Sequence, residues 1–143
     1  MLKRFALALL LLPLASGCAV NRATATVTPG ADLGTTRTFF VVLDRSDNRG
    51  VGKLVVDNLV KRGFSASAGA EAPRPSKVDA VVTYMDRWMW DITMYMVELT
   101  VTIRNPESNF PIASGNSYHT SLSRKSPEEM VDEVLTNIFN AKK

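Results

Sequence analysis

The chain has 143 residues, of which 45% are hydrophobic and 22% charged, enough for one domain with a substantial core. Its formal net charge is +3, but residues 1–17 hold two of the 17 basic residues and none of the 14 acidic ones, so the remainder is nearly balanced. This balance excludes a strongly basic nucleic-acid-binding protein, and no apolar segment of membrane-spanning length follows residue 17.

The first residues have the three parts of an export signal. Lys3 and Arg4 precede an apolar run at residues 5–14, and small residues follow at 15–17. The apolar run is about half of the ~20 residues that a membrane-spanning helix needs. The pattern therefore predicts a signal peptide over residues 1–17.

The chain's single cysteine, Cys18, follows this signal in the sequence LASGC. This motif resembles the lipobox of bacterial lipoproteins, although Ala15 stands where that family most often has Leu. The resemblance implies that Cys18 receives a diacylglyceryl thioether, that the chain is cut before it, and that the new amino group is acylated, commonly with palmitate. Two or three acyl chains on one residue would anchor the protein to a membrane. Ala19, where Asp would signal retention in the inner membrane, implies the periplasmic face of the outer membrane.

Residues 19–36 read AVNRATATVTPGADLGTT and have no sustained apolar period. We expect residues 18–36 to form the lipidated end and a flexible tether, with a mean reach of about 20–25 Å. A single domain is then expected over residues 37–143.

A strand, a helix and a short strand are predicted next. Residues 36–44 have a continuous apolar centre with β-branched and aromatic side chains, typical of a buried strand. Ser46 or Asp47 can cap the helix that follows, and Gly63 suits its left-handed end. The sequence FSASA favours a short strand.

The sequence RGVGKL at the start of that helix is similar to a phosphate-binding loop only in part. Asp47 stands where the Walker pattern needs its first Gly, and Leu54 stands where it needs Ser or Thr. No nucleotide or other cofactor is predicted.

A long hairpin is predicted over residues 78–104, with a two- or four-residue loop around Ile92 and Thr93. The register that pairs Arg87 with Glu98 keeps the alternation of apolar and polar residues on both strands. It creates an apolar face that we expect to pack on the helices, with the cross-strand pairs Trp90–Tyr95, Trp88–Val97, Tyr84–Val101 and Val82–Ile103.

The tryptophans of this hairpin, Trp88 and Trp90, are thus expected in the core, with a ligand-binding aromatic site as the alternative. Asp86 falls between inward-facing aromatic residues, so it needs a hydrogen-bonding partner or a place near the rim. A buried Asp86 would be a candidate acid with a raised pKa. The same register lines the outer face with Met85, Met89 and Met96, which we interpret as a possible contact surface.

A third long strand is predicted over residues 111–122, and a final helix after it. Ser126 can cap that helix, Pro127 fits its first position, and Glu129 completes a capping box. The element order predicts an α+β fold in which two helices pack on one face of a mainly antiparallel sheet. This order resembles small periplasmic lipoprotein families of unassigned function.

The chain's only histidine, His119, alternates with Ser117 and Ser121. A Ser–His pair could form a nucleophile, but the sequence has no nucleophile elbow and no evident carboxylate to orient the histidine. We expect a solvated or hydrogen-bonded strand face here, and no metal site, because one histidine without thiolates falls short of a ligand set.

Three functions remain open at this point. The first is a non-enzymatic, lipid-anchored envelope protein that contacts another envelope protein or a second copy of itself. The second is a periplasmic module that binds a small apolar ligand or lipid near Trp88 and Trp90. The third is a hydrolase that uses His119 with Ser117 or Ser121.

Overall fold

The structure is a computed structural model that describes residues 21–141. Its centre is a six-stranded sheet, and the long middle strands of this sheet carry the alternating apolar residues. Two helices cover one face of this sheet, so the predicted α+β fold is confirmed. The strands are β1 (Asn21–Val27), β2 (Thr38–Val42), β3 (Ser65–Gly69), β4 (Ala80–Asp91), β5 (Thr93–Arg104) and β6 (Pro111–His119). The helices are α1 (Val51–Lys61) and α2 (Pro127–Asn140), and a 3₁₀ turn, Ser121–Ser123, precedes α2.

The sheet has the strand order β1-β6-β5-β4-β2-β3. The pairs β1–β6, β6–β5 and β5–β4 are antiparallel, whereas β2 is parallel to both β3 and β4. The parallel pair β2–β3 is joined through α1, as a crossover connection requires. Within residues 21–141, neither helix is long and apolar enough to cross a bilayer.

The segment predicted as a tether is part of the fold from Asn21 onward. Residues 21–27 form β1, which pairs along its whole length with β6. Ala25 and Val27 pack against the core, and Thr36 is buried after the turn that follows. Alanine and threonine give only a weak apolar alternation, so the strand is stabilised by pairing with β6 more than by its own pattern. Residues 18–20, with the lipidation prediction at Cys18, lie outside the described residues.

Asp47 fixes the start of α1. Its carboxylate accepts hydrogen bonds from the backbone amides of Val51 at 3.0 Å and Gly52 at 2.8 Å, and from the Tyr84 hydroxyl at 2.7 Å. The N-cap itself is Gly50, with φ of 74°, so the prediction of Ser46 or Asp47 at that position is wrong. Asp47 binds the first helical amides from three residues before the N-cap. A side chain at Gly52 would collide with Tyr84 and Leu43, so the glycine of RGVGKL is needed for close packing. The Asp47 carboxylate already binds the backbone amides that a phosphate would need.

The register of the β4–β5 hairpin is confirmed from its base to Arg87 and Glu98, whose side chains form an ion pair of 2.9 Å. Beyond that pair the register shifts by one residue, because Val97 forms a bulge. The loop is a single residue, Ile92, with φ of 61°. The predicted pairs nearest the tip are therefore wrong: Trp88 faces Met96, and Trp90 faces Met94.

The bulge in β5 and the position of the hairpin tip, past the last β5–β6 pair, determine which side chains of the hairpin enter the core. Met96 is 1% exposed and packs with the helices, so its assignment to the outer face is wrong. Trp90 is 70% exposed, so its assignment to the core is also wrong. Trp88 is half-buried against the core, while Met85 and Met89 are exposed as predicted.

Helix α2 begins as predicted and packs closely on β6. Ser126 and Glu129 form a reciprocal capping box, with Pro127 at the first helical position. At Gly115 the helix approaches so closely that an added Cβ would lie 2.8 Å from Cγ1 of Ile138 and 3.0 Å from Cγ1 of Val134. The part of β6 that meets the centre of α2 is therefore lined by small residues, Ala113, Gly115 and Ser117.

We predict that Gly115→Ala lowers the stability of the fold. The added methyl group must displace Ile138 or Val134, and overpacking of this kind costs about 1–3 kcal/mol. Urea unfolding followed by circular dichroism measures the loss. Thr24→Ala, at an exposed position of β1, is the matched control and should change stability by less than about 0.5 kcal/mol. Equal stability of the Gly115 variant and wild type would contradict this packing.

Candidate functional site

Two groups of side chains are candidates for function: a buried polar cluster between β6 and α2, and exposed apolar residues on the β4–β5 hairpin. The cluster contains the serine and histidine that the sequence singles out. The hairpin contains both tryptophans and the methionines. The two groups lie toward the same end of the sheet, because β6 runs toward the hairpin tip.

The polar cluster is centred on Glu133 of α2. Its Oε2 atom accepts hydrogen bonds from Ser117 Oγ at 2.5 Å and from His119 Nε2 at 2.7 Å, and Lys125 Nζ lies 2.7 Å from Oε1. Ser117 and His119 are buried. The odd-numbered residues of β6 thus face α2, and of the two expected environments the hydrogen-bonded one is found.

Electrostatics keep Glu133 ionised. Burial raises the pKa of its carboxyl group, but hydrogen bonds from Lys125, Ser117 and His119 outweigh burial and lower the pKa to about 2. An ionised carboxylate only accepts hydrogen bonds, so Nε2 of His119 carries the proton that it shares with Glu133. Nδ1 of His119 makes no hydrogen bond with any described residue.

This geometry does not make Ser117 a nucleophile. An activated serine must donate its proton to the histidine, whereas here serine and histidine both donate to the same carboxylate oxygen. The side chain of Ser117 is also fully buried. Ser121 donates instead to Asp91 of the hairpin.

Sequence analysis did not predict the role of Glu133, whose carboxylate binds and orients His119. It lies on α2 beside the apolar stripe that contains Val134. A glutamate next to a buried stripe, opposite a strand with a single histidine, was the available signal. Within residues 21–141, no three His, Cys, Asp or Glu side chains form a metal-binding group.

The hairpin holds most of the exposed apolar surface. Of the nine large apolar side chains exposed among the described residues, five lie on β4, β5 or their turn: Met85, Met89, Trp90, Ile92 and Met94. Leu122 in the 3₁₀ turn is a sixth member at the same end, since its neighbour Ser121 contacts Asp91. Exposed apolar residues gathered in one region typically mark a contact surface.

Trp88 and Asp86 are held beside this surface. The indole Nε1 of Trp88 donates a hydrogen bond to Asp86, and the guanidinium of Arg49 lies 4.3 Å from the centre of the indole ring. Asp86 thus finds the partner that its inward position requires. The cleft at Trp88 measures about 250 Å³ and is lined mainly by polar residues: Asp44, Ser46, Asp47, Asn48, Arg49 and Asp86, with Met85.

A larger groove of about 660 Å³ lies at the opposite end of the sheet. It is formed by the turn after β1, the turn between β5 and β6, and Asp79 at the start of β4. Phe110, which is 62% exposed, lies on its wall.

Comparison with known proteins identifies the fold but no family. No described protein family matches the sequence, and no curated protein matches it. The PelC dodecamer from Paraburkholderia phytofirmans has a similar structure, with 14% identity over 83% of this chain and 98% of that chain and a TM-score of 0.61. A PelC variant dodecamer from the same organism gives 11% identity over 87% and 100% of the two chains, with a TM-score of 0.59. A PDZ domain protein from Parabacteroides distasonis gives 12% identity over 99% of this chain and 41% of that chain, with a TM-score of 0.56.

We predict that Glu133→Gln destabilises the protein in a pH-dependent way. The folded-state pKa is lowered to about 2, so the ionised carboxylate stabilises the fold above the unfolded pKa of about 4.3. That contribution, about 1–3 kcal/mol for a charged hydrogen-bonding group, is lost as the pH falls toward 2. Urea unfolding of wild type and variant should therefore differ at pH 7 and converge near pH 2. A constant difference across this range would contradict the assignment.

Proposed function

We propose that this protein is a lipid-anchored cell-envelope protein that acts non-enzymatically through contact with another envelope component. The anchor rests on the sequence: the signal pattern of residues 1–17 and the LASGC motif ending at Cys18. We propose the periplasmic face of the outer membrane as its location, because Ala19 follows the cysteine.

The single observation that carries the contact role is the exposed apolar surface of the hairpin. Met85 is 71% exposed and Met89 49% exposed, on the sheet face opposite the two helices of residues 21–141. Between them lies the Arg87–Glu98 ion pair. Methionine adapts to irregular partner surfaces, and a charged pair beside it can fix orientation.

Self-association is the form of contact that the structural comparisons favour. Chains of this fold, in PelC, are dodecamers. An identity of 11–14% carries the fold alone, so assembly of this chain is part of the proposal. A head-to-tail contact, between the sheet face that carries Met85 and another surface of the next copy, closes a ring when the rotation between copies closes.

The alternative, a ligand site at Trp88 and Trp90, has less support. A site for a small molecule usually encloses about 300–1,000 Å³ with mainly apolar walls. The cleft beside Trp88 is smaller and polar, and Trp90 is exposed outside it. The buried hydroxyl of Ser117 likewise gives no support to the hydrolase.

We predict that Cys18→Ala leaves an uncut, unacylated precursor. The thioether would form at the sulfur of Cys18, so removal of this sulfur prevents both the attachment of acyl chains and the cut before residue 18. Mass spectrometry and membrane fractionation provide the measurement. A variant of mature size that stays with the membrane would refute the lipid anchor.

We predict that Met85→Glu abolishes association with the partner or with further copies while leaving the domain folded. A carboxylate at an exposed centre of contact would be desolvated without a partner, which is costly. Thermal stability should change by less than about 0.5 kcal/mol, as for other surface substitutions.

The readout is cross-linking in intact cells, followed by identification of the linked chains. The matched control is Val60→Glu, the same change at a half-exposed apolar residue of α1, which should keep every cross-link. If Met85→Glu retains all the cross-links of wild type, the outer sheet face is ordinary surface.

A further inference from the structure

The start of β1 and the tip of the hairpin lie at the same end of the sheet. Asn21 pairs with His119, the last residue of β6. Strand β6 pairs with β5 only as far as Glu98, and the hairpin continues past it. The four remaining β4–β5 pairs, from Trp88–Met96 to Asp91–Thr93, therefore project beyond the body of the sheet.

The projecting end exposes four large apolar side chains, which we call the tip patch: Trp90 (70% exposed), Ile92 (87%), Met94 (44%) and Leu122 (77%). Leu122 comes from the 3₁₀ turn and the other three from the hairpin. Two separate segments thus contribute apolar residues to one end of the molecule.

The tip patch is held in place by Arg124. Its guanidinium donates hydrogen bonds to Thr93 Oγ1 at 2.6 Å and to the carbonyl oxygen of Asp91 at 3.1 Å, and it lies 4.5 Å from the centre of the Tyr95 ring. These contacts tie the hairpin to the segment that carries Leu122. The tip carboxylate, Asp91, accepts from Ser121 and lies 3.8 Å from Arg124.

The apex places a β-branched residue in an unfavourable conformation. Ile92 has φ of 61°, in the left-handed region that β-branched side chains rarely adopt. Glycine or asparagine would serve a tight turn better. An isoleucine at a strained position that is also 87% exposed gains little from burial, which points to a use of its side chain in contact with another molecule.

The short connection from Cys18 to Asn21 limits how far the tip patch can lie from a membrane that holds Cys18. Cys18 precedes Asn21 by three residues, which reach at most about 10 Å when fully extended. The four projecting pairs carry the tip about 13 Å beyond the start of β1. A membrane that holds Cys18 therefore lies within reach of the tip even when the connection is stretched.

We propose that the tip patch docks into the interface of the lipid bilayer that anchors Cys18. This inference rests on the lipid anchor of the proposed function and adds an orientation: the hairpin points into the membrane, and the groove beside Phe110 points away. Tryptophan favours the membrane–water interface, and isoleucine, methionine and leucine favour the acyl boundary about 5–10 Å below the surface.

The charges nearby fit this orientation. Two arginines, Arg22 and Arg87, have side chains 62% and 59% exposed and lie where the body of the sheet ends and the hairpin projects. Both pair with Glu98, at 4.0 and 2.9 Å, so one of the two positive charges is in excess. They would stand at the level of the lipid phosphates while the tip enters. Asp91 lies 3.8 Å from the guanidinium of Arg124 and accepts a hydrogen bond from Ser121, and both contacts lower the cost of its approach to the lipid.

The experiment places one tryptophan reporter at each end of the acylated, full-length mature protein. In Trp88→Phe, Trp90 is the only tryptophan. In the matched variant, Trp88→Phe and Trp90→Phe are combined with Phe110→Trp, which moves the reporter to the opposite end. Each protein is reconstituted in phosphatidylethanolamine–phosphatidylglycerol vesicles, with and without bromine on the acyl chains, and its emission is compared.

We expect brominated lipid to quench Trp90 and to leave the Phe110→Trp reporter unquenched. Absence of Trp90 quenching in protein that floats with the vesicles would overturn docking and leave the tip to a protein partner or a second copy. Equal quenching of both reporters would also overturn it, because the domain would then lie flat. If Trp88→Phe does not fold, the difference in quenching between wild type and Trp90→Phe reports the quenching of Trp90 instead.

Mass spectrometry of the same samples separates this inference from the proposed function. A chain without acyl groups refutes the lipid anchor. Trp90 quenching in such a chain, if it still floats, would support docking on its own, whereas a chain that neither carries acyl groups nor floats refutes both.

Discussion

The close approach of helix α2 to strand β6 is the constraint on which the rest of the structure depends. Gly115 allows the helix to reach van der Waals contact with the strand, and Glu133 then lies within hydrogen-bonding distance of Ser117 and His119. One helix thus buries apolar residues at its centre and an ionised carboxylate nearby. The carboxylate is tolerated because a lysine, a serine and a histidine surround it.

Much of the fold could be predicted because local and tertiary preferences agree in most segments. The capping box at Ser126 and Glu129 and the base of the hairpin are both local patterns with a direct physical interpretation. Strand β1 could not be found in the same way. Its alanines and threonines form a strand because β6 offers an edge to pair with. Since β6 is the last strand of the described chain, this pairing leaves no trace in the local sequence of β1.

The candidate sites show the same division. The methionines and tryptophans were recognisable as unusual, but a bulge at Val97 turned Met96 inward, and Trp90 lies near the hairpin tip, outside the core. A bulge depends on how the whole sheet twists and is not encoded by period-two alternation. Glu133 was equally hidden, since its role depends on a strand 14 residues earlier than itself. The pattern of apolar residues therefore indicates which segments contain candidate sites, whereas tertiary packing determines which of their side chains face outward.

The position of β1 at the edge of the sheet has a mechanical consequence. Strand β1 follows directly on the proposed anchor and lies antiparallel to β6 over seven residues. Tension between the membrane and the domain would act along the axis of β1 from its first residue. That direction shears the ladder, so its hydrogen bonds share the load and must fail together, instead of peeling open one at a time. An edge strand loaded in this way is a strong mechanical attachment, built from a segment with hardly any core of its own.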